Sequence, residues 1–570
     1  MTDAIDAFLA NFWKRNPVTA TFAGVHDHDR MLPDWSREGR AYEVNELDAL
    51  IRRLEAEHPV PAGGWDALAG DPVALDAMVA RVVGYVRIAE AASGFFTDRN
   101  PALWTGEAIF GAISLMLRDF APVGERLPAL AARLREVPDF LQTLHATVEG
   151  PIPPAWVARA VRECRAARKL LRDGLPRWLA SHEGVADSLE ARHVERAATK
   201  ARDAFRECEA WLLRTKRVDT RPSRAAATDA CGEELMGLLL RVGHFADESP
   251  RELLARAERA LPAARDALAE AHAPYGGTWA DAQRAMMADR ADATTFLGEF
   301  GERWRAVRDA VVAADVVTWP DDRPLRYVPI PAWARAVQPH LYFLFYRSPA
   351  PFDPVAVHDY LVAPVRPTMD ALKADALLRA WNRSVVGTNH VLHHGGLGHH
   401  VQNAAAMRGS SRLGAVAAVD GASRIAMFQG GTMAEGWACY ATRLAGELGL
   451  LTPLERVAEA QSEVRFLCRA IVDLRLHCGD WSAADCAGFL VDESGMDDAR
   501  AEAEVAKASM FPGTACMYWL GTDAIVTVRA ELERVQGAAF SRRRFHDALL
   551  SRGSLPVPLV ARLLLATEVA

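Results

Sequence analysis

LPALAARLREVPDFLQTLHATVEG, residues 127–150, runs straight into PIPPAWVARAVRECRAARKLL, residues 151–171. In both stretches apolar residues recur at three- and four-residue intervals, the spacing by which an α-helix buries one stripe. A proline-rich connection separates the two amphipathic helices. The same texture, rich in Ala, Leu and Arg with Pro and Gly at the breaks, fills residues 1–320. No fixed-period repeat runs through it, so a solenoid is not expected. The first half of the chain therefore reads as a helical scaffold.

The texture changes at 317–354, VTWPDDRPLRYVPIPAWARAVQPHLYFLFYRSPAPFDP. Prolines are dense there, and LYFLFY favours extended backbone. A small β element is expected around 323–348. Helical periodicity returns from about 355, so residues 321–570 form a second, mostly helical half. Both halves are expected to join in one assembly, and the fold class is mainly α.

Half of the 570 residues are apolar and a quarter are charged, the composition of a globular protein with a sizeable core. The net charge of −8 is spread along the helices without blocks, which offers no footprint for nucleic acid or an anionic membrane surface. The N-terminus MTDAIDAFLANFWKRNPVTATF lacks a basic segment followed by a continuous apolar one, and no stretch reaches about 18 uncharged apolar residues. A cytoplasmic location is expected. Cys164, Cys208, Cys231, Cys439, Cys468, Cys478, Cys486 and Cys516 form no C-x-x-C pair and suit reduced thiols. The oligomeric state is not legible.

The chemistry concentrates in NHVLHHGGLGHH, residues 389–400. A lone histidine in a helix is ordinarily a hydrogen-bonded core residue, but five within eleven positions, around three glycines, point to a metal site. His390 and His394 have the four-residue spacing that puts two imidazoles on one helical face. His393 and His399 are six apart, about 600° around an ideal helix, and come together only if Gly395, Gly396 and Gly398 break it. His393 and His400 share a face but lie about 10 Å apart along the axis. Spacing alone leaves the ligand pair open.

A carboxylate follows in MAEGWACYATRLAGELGLL. Met433, Trp437, Tyr440, Leu444 and Leu448 make one stripe, while Glu435 heads a second line with Cys439, Thr442 and Gly446. A glutamate followed by small residues suits a pocket, which makes Glu435 the best third ligand. In SEVRFLCRAIVDLRLHCG, Arg465, Arg469, Asp473 and His477 recur every fourth residue. They form either a solvated row of ion pairs or a polar wall in which Asp473 orients His477. Tyr518 in FPGTACMYWLG and Arg529 are either packed residues or holders of a substrate oxyanion or carboxylate.

Together these segments resemble the bacterial family called domain of unknown function 885, a zincin-like, mainly helical group often regarded as metallopeptidases or hydrolases. Its H-E-x-x-P-G-H-H-x-Q motif is similar to HHGGLGHHVQ (393–402), and its E-G-W-x-x-Y motif to EGWACY (435–440). VDLRLHCGDW, FPGTACMYWLG with Arg529, and FHDALLSRGSLPVPLV extend the likeness over about 385–565. The resemblance implies a helical body with a deep central channel, and one zinc ion held by His393, His399 and Glu435. His400 competes for the second place, and His390 and Asp473 stand behind the ligands.

In the family motif, a glutamate after the first histidine activates water. Here His394 takes that position, and Leu397 replaces the proline. A general base typically contributes about 10²–10⁴ in rate. Three readings follow. His394 serves as the base of a zinc hydrolase cleaving an amide, peptide or ester bond in a small molecule or short peptide, with His477, Tyr518 and Arg529 at the substrate. Alternatively the metal acts as a Lewis acid in a lyase, isomerase or cyclase. In the third, the pocket only binds a ligand.

Overall fold

Several helix starts in this chain follow from capping residues. In the computed structural model, which describes residues 3–215, 217–218, 229–335, 350–353, 357–417 and 424–569, Ser249 precedes a helix at Pro250–His272. Its hydroxyl accepts from the Glu252 amide at 3.3 Å, and the Glu252 carboxylate accepts from the Ser249 amide at 2.9 Å. Thr452 and Glu455 repeat the arrangement before Pro453–His477, as do Ser482 and Asp485 before Ala483–Ser494. Each reciprocal pair satisfies backbone donors that a helix start otherwise leaves open, and in the first two the proline at the next position, Pro250 or Pro453, fits the first turn.

The two helices expected in 127–171 are Val123–Thr147 and Pro154–Lys169. Leu127, Leu130, Leu134, Val137, Leu141 and Leu144 form the buried stripe of the first, which packs on Leu189–Arg214. Arg133 is buried in the same region. Its guanidinium donates to Gly111 O at 3.0 Å, Met31 O at 2.9 Å and His28 O at 3.1 Å, tying the loop at 28–31 to two helices.

The described residues are mainly helical, with one two-stranded sheet. Strand β1 (Leu325–Pro329) lies inside the expected 323–348 window. Its partner β2 (His358–Val362) lies beyond it. The correction has a physical reason: the strands pair in parallel, Leu325 opposite His358 and Tyr327 opposite Tyr360, and parallel strands need a long crossover. LYFLFY falls outside the described residues.

Two apolar clusters make the core. One gathers residues from Ala4 to Leu563. The other joins Met236–Ala282 to Val457–Leu520. Both cross residue 320, so the two halves of the chain share their interior. Among the described residues, no helix is long and apolar enough to cross a membrane.

Candidate metal centre

The histidine segment begins as a π-helix, Val386–Gly395, whose i→i+5 bonding replaces the α-helical register. It ends at the glycines, and an α-helix resumes at His399–Arg408. Between them the chain turns back on itself, and the Gly398 amide donates to Leu392 O at 2.8 Å. This reversal requires residues without side chains. A Cβ on Gly398 would meet His393 O at 1.9 Å, and one on Gly396 would meet Val391 O at 2.7 Å. The turn places the His399 ring 4.8 Å from the His393 ring, centroid to centroid, nearly perpendicular to it.

Glu435 arrives from the helix Arg424–Glu447. Its Oε2 stands 3.2 Å from His393 Nε2 and 3.6 Å from His399 Nε2. That oxygen is buried and accepts no aligned hydrogen bond among the described residues. His393, His394 and His399 each offer one ring nitrogen within 4.8 Å of the others. His394 Nδ1 donates to Asn389 O at 2.6 Å, which leaves Nε2 as its basic nitrogen.

The electrostatics suit ligation. Burial holds the His393 imidazole below its ordinary pKa, against the opposing pull of Glu435. Burial, with His393 and His399 close by, drives His394 well below. Burial pushes the Glu435 carboxyl up, but His399 and His393 beside it hold it well below the usual range. A neutral imidazole and an ionised carboxylate are the forms that bind a metal. Two nitrogens facing an orphaned carboxylate oxygen fit a divalent cation, and imidazole with carboxylate suits zinc.

The surroundings fix this geometry. Trp437, fully buried, donates from Nε1 to Leu397 O at 2.9 Å and so ties the Glu435 helix to the glycine turn. Trp304 Nε1 donates to Gly395 O at 2.6 Å. The small sheet supports the π-helix, because Tyr327 donates its hydroxyl to His390 O at 3.1 Å. A cavity opens beside His393, lined by Cys439 and Thr442 of the second line of the Glu435 helix.

This architecture recurs in known proteins, and the family pattern of bacterial proteins of unknown function designated DUF885 matches residues 17–564. The chain belongs to the DUF885 family. No curated protein matches it. Among solved structures, this DUF885 chain is similar to a "putative lipoprotein of unknown function from Shewanella oneidensis" (TM-score 0.74, 20% identity, 99% of each chain covered). It is also similar to a "putative lipoprotein from Colwellia psychrerythraea" (TM-score 0.74, 15% identity, 99% of this chain and 98% of the other). At these identities the likeness shows the fold.

The other residues singled out in the sequence occupy different places in the DUF885 fold. His390 is stacked on Trp381, ring centroids 4.0 Å apart, with Nδ1 2.6 Å from the Tyr360 hydroxyl, and burial lowers it to about 3. His400 is engaged elsewhere, with Nε2 donating to Arg323 O at 2.7 Å. His477 and Asp473 sit several turns down their helix from the cavity. His477 Nδ1 accepts from the Cys231 amide at 3.1 Å, and its Nε2 donates to Ala508 O at 3.1 Å. Asp473 accepts from the amides of Gly513, Ala515 and Cys516. Both therefore tie segments together and stand apart from the histidine cluster.

Arg529 is likewise committed elsewhere: it meets Glu447 at 2.9 Å, Glu533 at 2.9 Å and the Tyr440 hydroxyl at 3.0 Å. Tyr518 stacks on Phe466, centroids 5.1 Å apart, at the edge of the region that Arg465 and Phe466 bring to the cavity. In the sequence Arg465 reads only as part of a charged row, and Glu459 stands in no motif. Both line the cavity. The available signal was Glu459, Ser462, Glu463 and Phe466 on one helical stripe, with a buried row beside it.

Proposed function

We propose that His393, His399 and Glu435 hold one zinc ion and that the protein is a metal-dependent hydrolase of an amide, peptide or ester bond. The observation that carries this reading is the buried Glu435 oxygen with two imidazole nitrogens at 3.2 and 3.6 Å and no aligned donor. A bound zinc supplies Lewis acidity toward a carbonyl and toward water. The chain supplies the rest. Asn389 O holds the His394 Nδ1–H, which leaves Nε2 as the proton-transfer atom, and the cavity beside His393 receives the substrate. The zincin-like architecture and deep channel implied by the family belong to this reading. So does a cytoplasmic location, which all eight cysteines being free thiols supports.

A second assignment of the same residues is favoured by the three mutually close ring nitrogens. There, His393, His394 and His399 are the ligands, and Glu435 takes the proton. The depressed His394 pKa suits a ligand nitrogen better than a proton acceptor. Zinc content of His394→Ala and Glu435→Ala separates the two. Loss only in Glu435→Ala supports the first assignment, and loss only in His394→Ala supports the second. Hydrolysis itself is tested by incubating the zinc-loaded protein with small amide, ester and peptide substrates. Products gaining the mass of water support it, and products of unchanged mass or with water lost point to an isomerase or lyase.

A further inference from the structure

The cavity beside His393 holds two ionisable groups of opposite sign that do not pair with each other. Arg465, on the helix Pro453–His477, makes one hydrogen bond among the described residues, from Nη2 to Ser462 Oγ at 3.2 Å. Its Nε is buried with no acceptor. The neighbouring arginines are engaged. Arg469 is bidentate with Glu504, at 2.9 and 2.5 Å, and Arg443 meets Glu463 at 3.4 Å. The Arg465 guanidinium also lies over the Phe466 ring, 5.4 Å from the centroid, so among the described residues Arg465 is the cation of this wall that has no carboxylate partner.

Glu459 is its counterpart. It lines the same cavity and has no hydrogen bond or ion pair among the described residues. Burial, with Glu463 close by, raises it to about 7 against the weaker opposing pull of Arg443 and Arg456, neither of which pairs with it. A buried charge or half-charge without a partner is costly, and a site that keeps both signs uncommitted is built for a ligand that brings both complements. Phe466, stacked on Tyr518, gives the cavity an apolar wall. His393 closes one side, so a molecule seated here lies against the candidate metal centre.

We propose that this cavity takes a zwitterion, an amino acid or a dipeptide with both ends free, its carboxylate on Arg465 and its ammonium on Glu459. The placement of the reacting bond beside His393 rests on the hydrolase reading. Recognition of the two charged ends does not. Arginine suits the carboxylate because its planar donors match both oxygens, and such charge-assisted contacts are about twice as strong as neutral ones.

The test is calorimetric binding of leucyl-leucine, N-acetyl-leucyl-leucine and leucyl-leucine amide to the full chain, both chelator-treated and zinc-loaded, with zinc content read on each sample. Blocking either end of the dipeptide is expected to weaken binding about tenfold or more. Arg465→Met should erase the preference for the free carboxylate and keep that for the free amine. Glu459→Gln should do the reverse. Equal affinity for free and blocked dipeptides in the native protein, or no binding of the free dipeptide at millimolar concentration, overturns the proposal even if a variant fails to fold. Selective dipeptide binding by a protein that takes up no zinc overturns the metal reading alone. Zinc uptake without end selectivity overturns this one alone.

Discussion

A single methyl group at residue 398 should separate the two halves of the candidate metal centre. A Cβ there would stand 1.9 Å from His393 O, 2.6 Å from His393 C and 2.8 Å from Leu392 O. All three are backbone atoms, so they cannot swing aside as a side chain would. Reaching even 3.0 Å, the shortest contact that real Cβ atoms show, moves the chain by roughly 1 Å between the two histidines. Metal ligation tolerates about 0.2 Å, and a 1 Å misplacement typically costs about 10². Gly398→Ala is therefore expected to weaken zinc binding about 100-fold, or about 2.7 kcal/mol. Competition against a chromogenic chelator reads this directly, with circular dichroism to check that the helices persist. Gly298→Ala is the control, because its Cβ meets nothing within 4 Å in the helix Phe296–Ala313. It should leave zinc binding alone and raise stability by up to about 1 kcal/mol. Parental zinc affinity in Gly398→Ala would refute the reasoning that the glycine turn sets the ligand geometry.

Trp437→Phe removes the donor to Leu397 O from a fully buried site. It should lower unfolding free energy by about 1–3 kcal/mol in urea titration and weaken zinc binding as the glycine turn loosens. Arg133→Met strips several carbonyls of their buried donor, and a loss of about 3–5 kcal/mol is expected, read as a fall in the denaturation midpoint. Acid titration tests His477, which burial lowers from 6.5 to about 4. Between those pH values the unfolded chain binds a proton that the folded chain refuses. Its contribution to stability is thus fully present above pH 6.5 and is lost as pH falls toward 4, by about 1.4 kcal/mol per unit. The stability gap between parent and His477→Gln should narrow over that window. A gap independent of pH would mean that the folded protein does not keep His477 neutral.

Helical periodicity exposed the scaffold because residues such as Leu127, Leu130 and Leu134 repeat at the spacing of one buried face. Strand β2 escaped because HDYLV is five residues long and its pairing depends on a distant parallel partner, which no local pattern encodes. The histidine cluster was visible as composition, but its ligand pair was not legible from spacing. An α-helical register favours His390 with His394, whereas the π-helix and the glycine turn bring His399 over His393. Asp473 and His477 show the opposite difficulty. Their four-residue spacing looks alike whether the row faces a site or, as here, ties the 513–516 turn and the Cys231 segment to a helix. Glu459 carries no motif and Arg465 only its place in a four-residue row, so only the cavity that they share distinguishes them from surface charges.

The central claim is that HHGGLGHH and Glu435 hold a metal. The most direct measurement is metal content by mass spectrometry on protein purified without a histidine tag, beside the His393→Ala, Glu435→Ala double variant. About one zinc per chain in the parent and none in the variant is the predicted result. A parent that is metal-free and takes up no zinc on reloading would contradict the account.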